Sequence, residues 1–298
     1  MKTEKVFLSV GATGSQGSAM ARQLLAAGYT VMTIARTKEK CDELIGRGLD
    51  ARQGDLSDLE SLKAASAGAD YFAFVLPLER DKSKIALYTE NVIEAAKAAP
   101  IKNLVFNTSS RYPEYDTEVP GFGEKRLVEA LIQNSGLPFI ILRPTIYMEN
   151  LAAPWSVTDV NEHSCVKYPI AEEKRVYWNS AEDVARYVVG AIAKTELAGR
   201  VIDIGGPELV TGKEIAEQFS RALGRDVIYK GITPKDFAKG LVPFLGEKQG
   251  MGMVSYYGFV NENPENWGEV SSDIESLNVE PVDTFESWVT RLTPYVFR

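Results

Sequence analysis

Val6–Gly17, VFLSVGATGSQG, is the stretch that decides the fold. Val6, Phe7, Leu8 and Val10 make a short apolar run rich in β-branched and aromatic residues, the pattern of a buried parallel strand. The run breaks at Gly11, and helical spacing begins at Ser15 with Ala19, Met20, Leu24 and Leu25. Gly11 permits a tight turn off the strand, Gly14 lets backbone amides approach a pyrophosphate, and Gly17 lets helix and strand pack closely. The free N–H groups at the helix start and the positive end of its dipole then favour an anion. A glycine-rich turn alone is a common surface feature. A strand before it and a helix after it make it a dinucleotide-binding loop.

The totals narrow the alternatives. The chain has 298 residues, 45% hydrophobic and 25% charged, the composition of a globular protein large enough for a substantial core. Its net charge of −8, with no basic stripe, would repel a nucleic-acid duplex, so no nucleic-acid partner is expected. Two cysteines, Cys41 and Cys165, are too few for a disulfide framework or a metal knuckle and fit a reducing compartment. His163 is the only histidine, which removes a multi-histidine metal site and leaves little room for a histidine-assisted nucleophile. No metal is expected. In the polar stretch Asp159–Ser164, His163 reads as a loop residue. No stretch approaches the ~18–20 apolar residues of a membrane span, and the first apolar run is too short for a signal peptide. The expected setting is the cytosol, with no membrane partner.

Strand and helix patterns alternate along the first half. Helix Ser15–Gly28 leads to strand Tyr29–Ala35, helix Lys38–Gly46 to strand Ala51–Gly54, and helix Asp58–Ala67 to strand Ala69–Pro77. Helix Asp81–Ala98, strand Asn103–Asn107, helix Phe122–Gln133 and strand Phe139–Leu142 follow. Helix Asp183–Ala193 and strand Arg200–Ile204 extend the same sheet. This rhythm predicts right-handed βαβ units: an α/β, doubly wound parallel-sheet Rossmann fold. Periodicity is weaker over Met148–Pro154, Val166–Trp178 and Leu209–Arg298, apart from a helix at Gly212–Leu223 and a strand at Val227–Tyr229. The expected organisation is one domain. Its core is about 1–150 plus 181–206, and a smaller C-terminal substrate-binding part, about 151–180 and 207–298, leans over the cleft.

Ligands of open α/β sheets sit outside the carboxyl ends of the strands, which puts Leu76 and Pro77 beside the cofactor. About twenty residues past the glycines an NAD fingerprint expects an acid for the ribose 2′-hydroxyl. Arg36 stands there instead, with Lys40 nearby. A cation suits a 2′-phosphate, so NADP(H) is favoured over NAD(H). The bland alternative is a solvated helix start. Asp55, by its chemistry, would help cap the helix at Asp58–Ala67.

The Gly-x-x-Gly-x-x-Gly spacing of GATGSQG resembles the phosphate loop of short-chain dehydrogenase/reductases. The reductase mechanism there uses a Tyr four residues before a Lys, the Lys lowering the Tyr pKa and gripping the nicotinamide ribose. No tyrosine of this chain has a Lys four residues on; Lys125 is present, but Gly121 holds the tyrosine position. GEKRLVEAL around Lys125, followed by FIILRPTIYMEN, with ARTKEK and GDLSD, resembles the NmrA-like branch, which keeps the Lys and replaces the Tyr. NSAEDVARYVV and IDIGGPELVTGKEIAEQFSRALGR continue the likeness more loosely. The resemblance implies that Gly11, Thr13, Gly14, Ser15, Gln16 and Gly17 hold the pyrophosphate, and that Arg36 with Lys40 holds the 2′-phosphate. It implies that Asp55 and Leu56 border the adenine, that Lys125 meets the nicotinamide ribose as the candidate catalytic residue, and that Tyr147 and Asn150 border the substrate. Ser109, beside Ser110, ends a strand where short-chain reductases place a hydrogen-bonding Ser. Outside that context Lys125 reads as an exposed helix lysine, and Tyr147 as core.

Two functions fit. One is an NADPH-dependent reductase of a small, flat, electron-poor acceptor (quinone, enone or dye), which does not need an acid as strongly as a ketone does. Tyr147, Trp155, Tyr256, Tyr257 and Phe259 would suit such a ring, or would be plain core. The other is a non-catalytic NADP(H) sensor acting through a regulatory protein partner. A homodimer is compatible with both. A sugar-nucleotide epimerase fits poorly without the Tyr–Lys pair.

Overall fold

A computed structural model describes residues 3–9 and 11–298; Val10, expected in the first strand, lies outside them. The first half runs β1 (Lys5–Leu8), α1 (Ser15–Ala26), β2 (Thr30–Ala35), α2 (Lys38–Gly46), β3 (Asp50–Gln53), α3 (Leu59–Ser66), β4 (Tyr71–Val75), α4 (Lys82–Ala98), β5 (Asn103–Asn107), α5 (Phe122–Gln133) and β6 (Phe139–Pro144). Next come β7 (Ile146–Tyr147), α6 (Glu149–Ala152), α7 (Pro154–His163), β8 (Cys165–Tyr168), β9 (Val176–Asn179), α8 (Ala181–Ile192) and β10 (Arg200–Ile204). The chain closes with β11 (Leu209–Val210), α9 (Gly212–Leu223), β12 (Ile228–Gly231), α10 (Pro234–Leu245), α11 (Glu247–Glu262), α12 (Glu265–Gly268) and α13 (Phe285–Leu292).

Seven strands form one parallel sheet in the order β10-β6-β5-β4-β1-β2-β3. The chain starts at β1, winds one way through β2 and β3, then returns to β4 on β1's other side, in register Val6↔Val31 and Val6↔Tyr71. The winding reverses between β1 and β4. That switch point opens a crevice at the carboxyl ends of the strands.

Alternation along the strands supplies a core on each face. Val6 and Leu8 pack with Val31, Ala73 and Val105 under α1 and α8, while Phe7 packs with Met32, Phe72, Phe74 and Phe106 under α3, α4 and α5. Small residues let α1 and α8 lie close, and at their surface Gln23 donates to Glu182 at 2.8 Å. A third cluster, around Tyr168, Trp178, Phe219, Trp267 and Trp288, is the core of the smaller C-terminal α/β part.

Several expectations need correction. Asp55 does not cap α3. Asp58 does, accepting from the Glu60 and Ser61 amides, because it is the residue adjoining the first helical turn. Asp55 instead folds back on the Ser57 amide at 2.8 Å. His163 is the exposed last residue of α7 rather than a loop residue; Ser164 beyond it takes a left-handed conformation and stops the helix. The weakly periodic stretch Val166–Trp178 carries parts of two short strands, β8 and β9, and Met251–Val260 lies within the long helix α11. No helix among the described residues is long and apolar enough to cross a membrane.

Candidate functional site

The glycine loop is built by close contact. A Cβ on Gly17 would stand 2.1 Å from the Gly11 carbonyl oxygen, so no other residue fits without moving backbone. Gly14 is the N-cap of α1 and brings no side chain to it, so the first amides of α1 lack both intrahelical acceptors and a capping oxygen. That cradle fits a diphosphate. Arg47, not anticipated from the sequence, donates to the Ala12 carbonyl at 3.2 Å and ties the loop to the end of α2.

Two cavities adjoin along the carboxyl edge of the sheet. The first, about 520 Å³, is lined by Gly11, Thr13, Arg36, Lys40, Asp55 and Leu56. The second, about 550 Å³, is lined by Ser15, Gln16, Leu76, Ser109, Lys125, Tyr147 and Asn150. Pro77, Leu78 and Glu79, just past β4, line both. Every site residue expected from the sequence except Gly14 and Gly17 therefore reaches one wall or the other, and those two shape the loop between the cavities.

In the first cavity Arg36 is exposed and has no ion-pair partner among the described residues, whereas Lys40 pairs with Glu43 at 2.7 Å. Leu56 is buried, its carbonyl held by Asn91 at 2.8 Å. Hydrogen bonds from Ser57 hold the Asp55 carboxyl below its ordinary range, with Arg36 adding to the effect.

The second cavity is centred on Lys125. Its Nζ donates to the Thr108 carbonyl at 2.5 Å and to Ser110 Oγ at 2.8 Å. It is not the exposed helix lysine of the bland reading: burial, helped by Arg80, lowers its pKa to about 7. One turn further along α5, Glu129 forms a two-bonded fork with Arg143 of β6 at 2.8 and 2.7 Å. Both are almost fully buried, and the fork locks α5, and hence Lys125, against the sheet.

Gln16 links the loop to this wall. Its amide oxygen accepts from Asn107 (3.3 Å), Ser109 Oγ (3.1 Å) and the Tyr147 hydroxyl (3.3 Å). Tyr147 is almost wholly buried and burial raises its pKa, so it acts as a fixed donor rather than an acid. Asn150 reaches the Tyr168 hydroxyl at 2.9 Å. Of the aromatics expected around a flat acceptor, Tyr147, Trp155, Tyr256 and Tyr257 line the cavity. Phe259 does not; it packs on Phe122 and Trp267, which Tyr256 also contacts.

Arg80, Glu149 and Tyr256 as an acid–base group escaped the sequence reading. Glu149 accepts from the Ala181 amide at the start of α8, and burial raises its pKa. Tyr256 lies beside Ser110; burial pushes its pKa up to about 12 against the opposing effect of that contact. Tyr256 comes from the motif-poor half, and Glu149, though inside FIILRPTIYMEN, shows its role only once the start of α8 is packed on it.

The winding order, switch-point crevice and glycine loop define an NAD(P)-binding Rossmann-type fold. The chain belongs to the NmrA-like family, whose profile matches residues 3–289. It is 28% identical over 282 residues to an NAD(P)H azoreductase of Xenophilus azovorans, covering 94% of this chain and 95% of that protein. The NADPH-dependent quinone oxidoreductase of Escherichia coli, solved with NADPH, superposes with a TM-score of 0.78 at 23% identity, covering 96% of this chain and 99% of that one. NmrA, a negative transcriptional regulator solved with NAD, gives 0.74 at 20% identity, covering 99% and 97%.

Proposed function

We propose that the protein is an NADPH-dependent reductase that passes hydride to a small, flat, electron-poor acceptor such as a quinone, an enone or a dye. The observation that carries this reading is the adjoining pair of cavities. One, at the glycine loop and Arg36, suits the adenosine and diphosphate. An aromatic-walled one, at Lys125, suits the nicotinamide and the acceptor. The azoreductase and quinone oxidoreductase among its relatives support it.

The reduced nicotinamide supplies the hydride when bound. The chain's part is positional: the loop and Arg36 fix one end of the dinucleotide, and Lys125 fixes the ribose at the other. Trp155, Tyr256 and Tyr257 form an apolar wall that holds a ring and excludes water. With a pKa near 7, Lys125 can give up a proton at neutral pH and regain it through Ser110, whose hydroxyl it already contacts. An acceptor whose reduced form is a stabilised anion needs no stronger acid, which is compatible with glycine at position 121.

The test follows NADPH absorbance with purified protein and a panel of quinones, enones and dyes. Turnover above about 1 s⁻¹ supports the reductase. Tight NADPH binding with no turnover on any acceptor would instead assign a sensor role; a negative transcriptional regulator solved with NAD shares the fold.

A further inference from the structure

The cavity around Lys125 contains a second cation that the reductase reading does not use. Gly121 and Lys125 are one helical turn apart, so a side chain on residue 121 would face the same space as Lys125. That space is taken. A Cβ built on Gly121 would stand 2.5 Å from Nη1 of Arg80, and its three nearest neighbours all belong to the Arg80 guanidinium. Gly121 also has φ +96°, so two independent constraints keep the position bare. The arginine arrives from the loop between β4 and α4, and its guanidinium enters where a residue-121 side chain would have projected.

The carboxylates nearby are committed elsewhere. Glu79 accepts from the Arg80 and Asp81 amides and pairs with Lys84. Asp81 caps α4 through the Ser83 and Lys84 amides. Glu124 accepts from the Gly121 amide at 3.0 Å, and Glu149 is held by the Ala181 amide and Trp288. Among the described residues no carboxylate pairs with the Arg80 guanidinium. Its charge is felt across the cavity, where, after burial, it disfavours protonation of Lys125. The Arg80 guanidinium, without a carboxylate partner and lining the same cavity as Trp155, Leu241, Met253 and Tyr256, leaves its fork of donors open to an anion.

We propose that Arg80 is a specificity residue that selects acceptors bearing an oxyanion, a carboxylate, sulfonate or phosphate, beside the flat electron-poor ring. This rests on the reductase reading and narrows its substrate class. The guanidinium fork offers two parallel donors to such a group, while the aromatic wall takes the ring. Cationic dyes become poor acceptors, since they would meet Arg80 and Lys125 together.

The experiment uses full-length protein saturated with NADP⁺, so that quinones bind without being consumed. It is titrated with 1,4-naphthoquinone-2-sulfonate and with neutral 2-methyl-1,4-naphthoquinone, following tryptophan emission, to which Trp155 in the cavity wall contributes. A charge-assisted fork predicts that the sulfonate binds at least about ten-fold tighter. Arg80→Gln should shrink that preference about ten-fold, and Arg80→Lys should restore part of it. Lys97→Gln, which removes an exposed cation near the far end of α4, should leave it unaltered. In the unmodified protein the preference should also fall between low and high salt, a readout that needs no variant. No preference in the unmodified protein, or one that survives Arg80→Gln, overturns the proposal. So does an Arg80→Gln variant that loses NADP⁺ affinity but keeps its sulfonate preference, because Arg80 would then belong to the cofactor. Turnover is read separately. NADPH oxidation with both quinones and no preference removes only the selectivity claim, whereas an Arg80-dependent preference without any turnover removes only the reductase.

Discussion

Replacing Arg36 with aspartate should reverse the choice of cofactor. Arg36 directly follows β2 on the wall of the adenosine cavity, exposed and without an ion-pair partner among the described residues. Lys40, one turn on, is already paired with Glu43, so Arg36 is the main cation available to a 2′-phosphate. A forked, charge-assisted contact contributes about 1.5–3 kcal/mol. A carboxylate in its place adds about 1 kcal/mol of repulsion in a solvent-facing site. The sum, about 2.5–4 kcal/mol, corresponds to a loss of roughly 100- to 1000-fold in NADPH affinity. NADH has no phosphate there and should change by less than about three-fold, since no other contact is touched. The assay is a pair of fluorescence titrations of each reduced cofactor against Arg36→Asp and the unmodified protein. Equal losses for both cofactors would refute the reasoning and return Arg36 to the status of a solvated helix-start residue.

Other perturbations test the remaining parts. Gly17→Ala puts a methyl 2.1 Å from backbone that cannot yield cheaply. It should cost about 1–3 kcal/mol of stability and weaken both cofactors at least about ten-fold; an unchanged melting curve and unchanged affinity would contradict the close approach. Glu129→Gln leaves Arg143 buried without its fork and should destabilise by about 3 kcal/mol in urea unfolding, whereas Glu129→Leu with Arg143→Met should be far milder. Lys125 gives a pH signature. Its folded pKa, about 7, lies below the ~10.5 of an unfolded lysine. The unfolded chain therefore binds the extra proton between those values, and cofactor-free stability should rise with pH across that window. The melting temperature of the unmodified protein, measured against Lys125→Met, should climb from pH 7 to pH 9; parallel curves would show that Lys125 is not held neutral.

The first half of the chain was legible because its signals are local. Val6–Leu8, the three glycines and the apolar start of the next helix lie within a few turns of one another, and each βα repeat reports its own period. The ends of the fifth strand and of the helix Phe122–Gln133 fall where the pattern puts them. Asp55 and Asp58 could not be told apart by chemistry alone, since both are acids near a helix start and only backbone geometry decides which oxygen reaches the free amides. Phe259 and Tyr256 show the same limit on one helix: three residues apart, both pack against Phe122 and Trp267, yet only Tyr256 reaches the cavity. Arg80 was invisible for a different reason. Its meaning depends on a bare glycine forty-one positions later, and only the folded chain puts guanidinium and vacancy together.

The most direct test of the account is a titration of the purified protein with NADPH, followed by energy transfer from tryptophan to the reduced nicotinamide. The account predicts a saturable one-to-one isotherm that Gly17→Ala and Arg36→Asp both weaken. Failure of the unmodified protein to bind NADPH or NADH would contradict it, and would leave the glycine turn as scaffolding without a ligand.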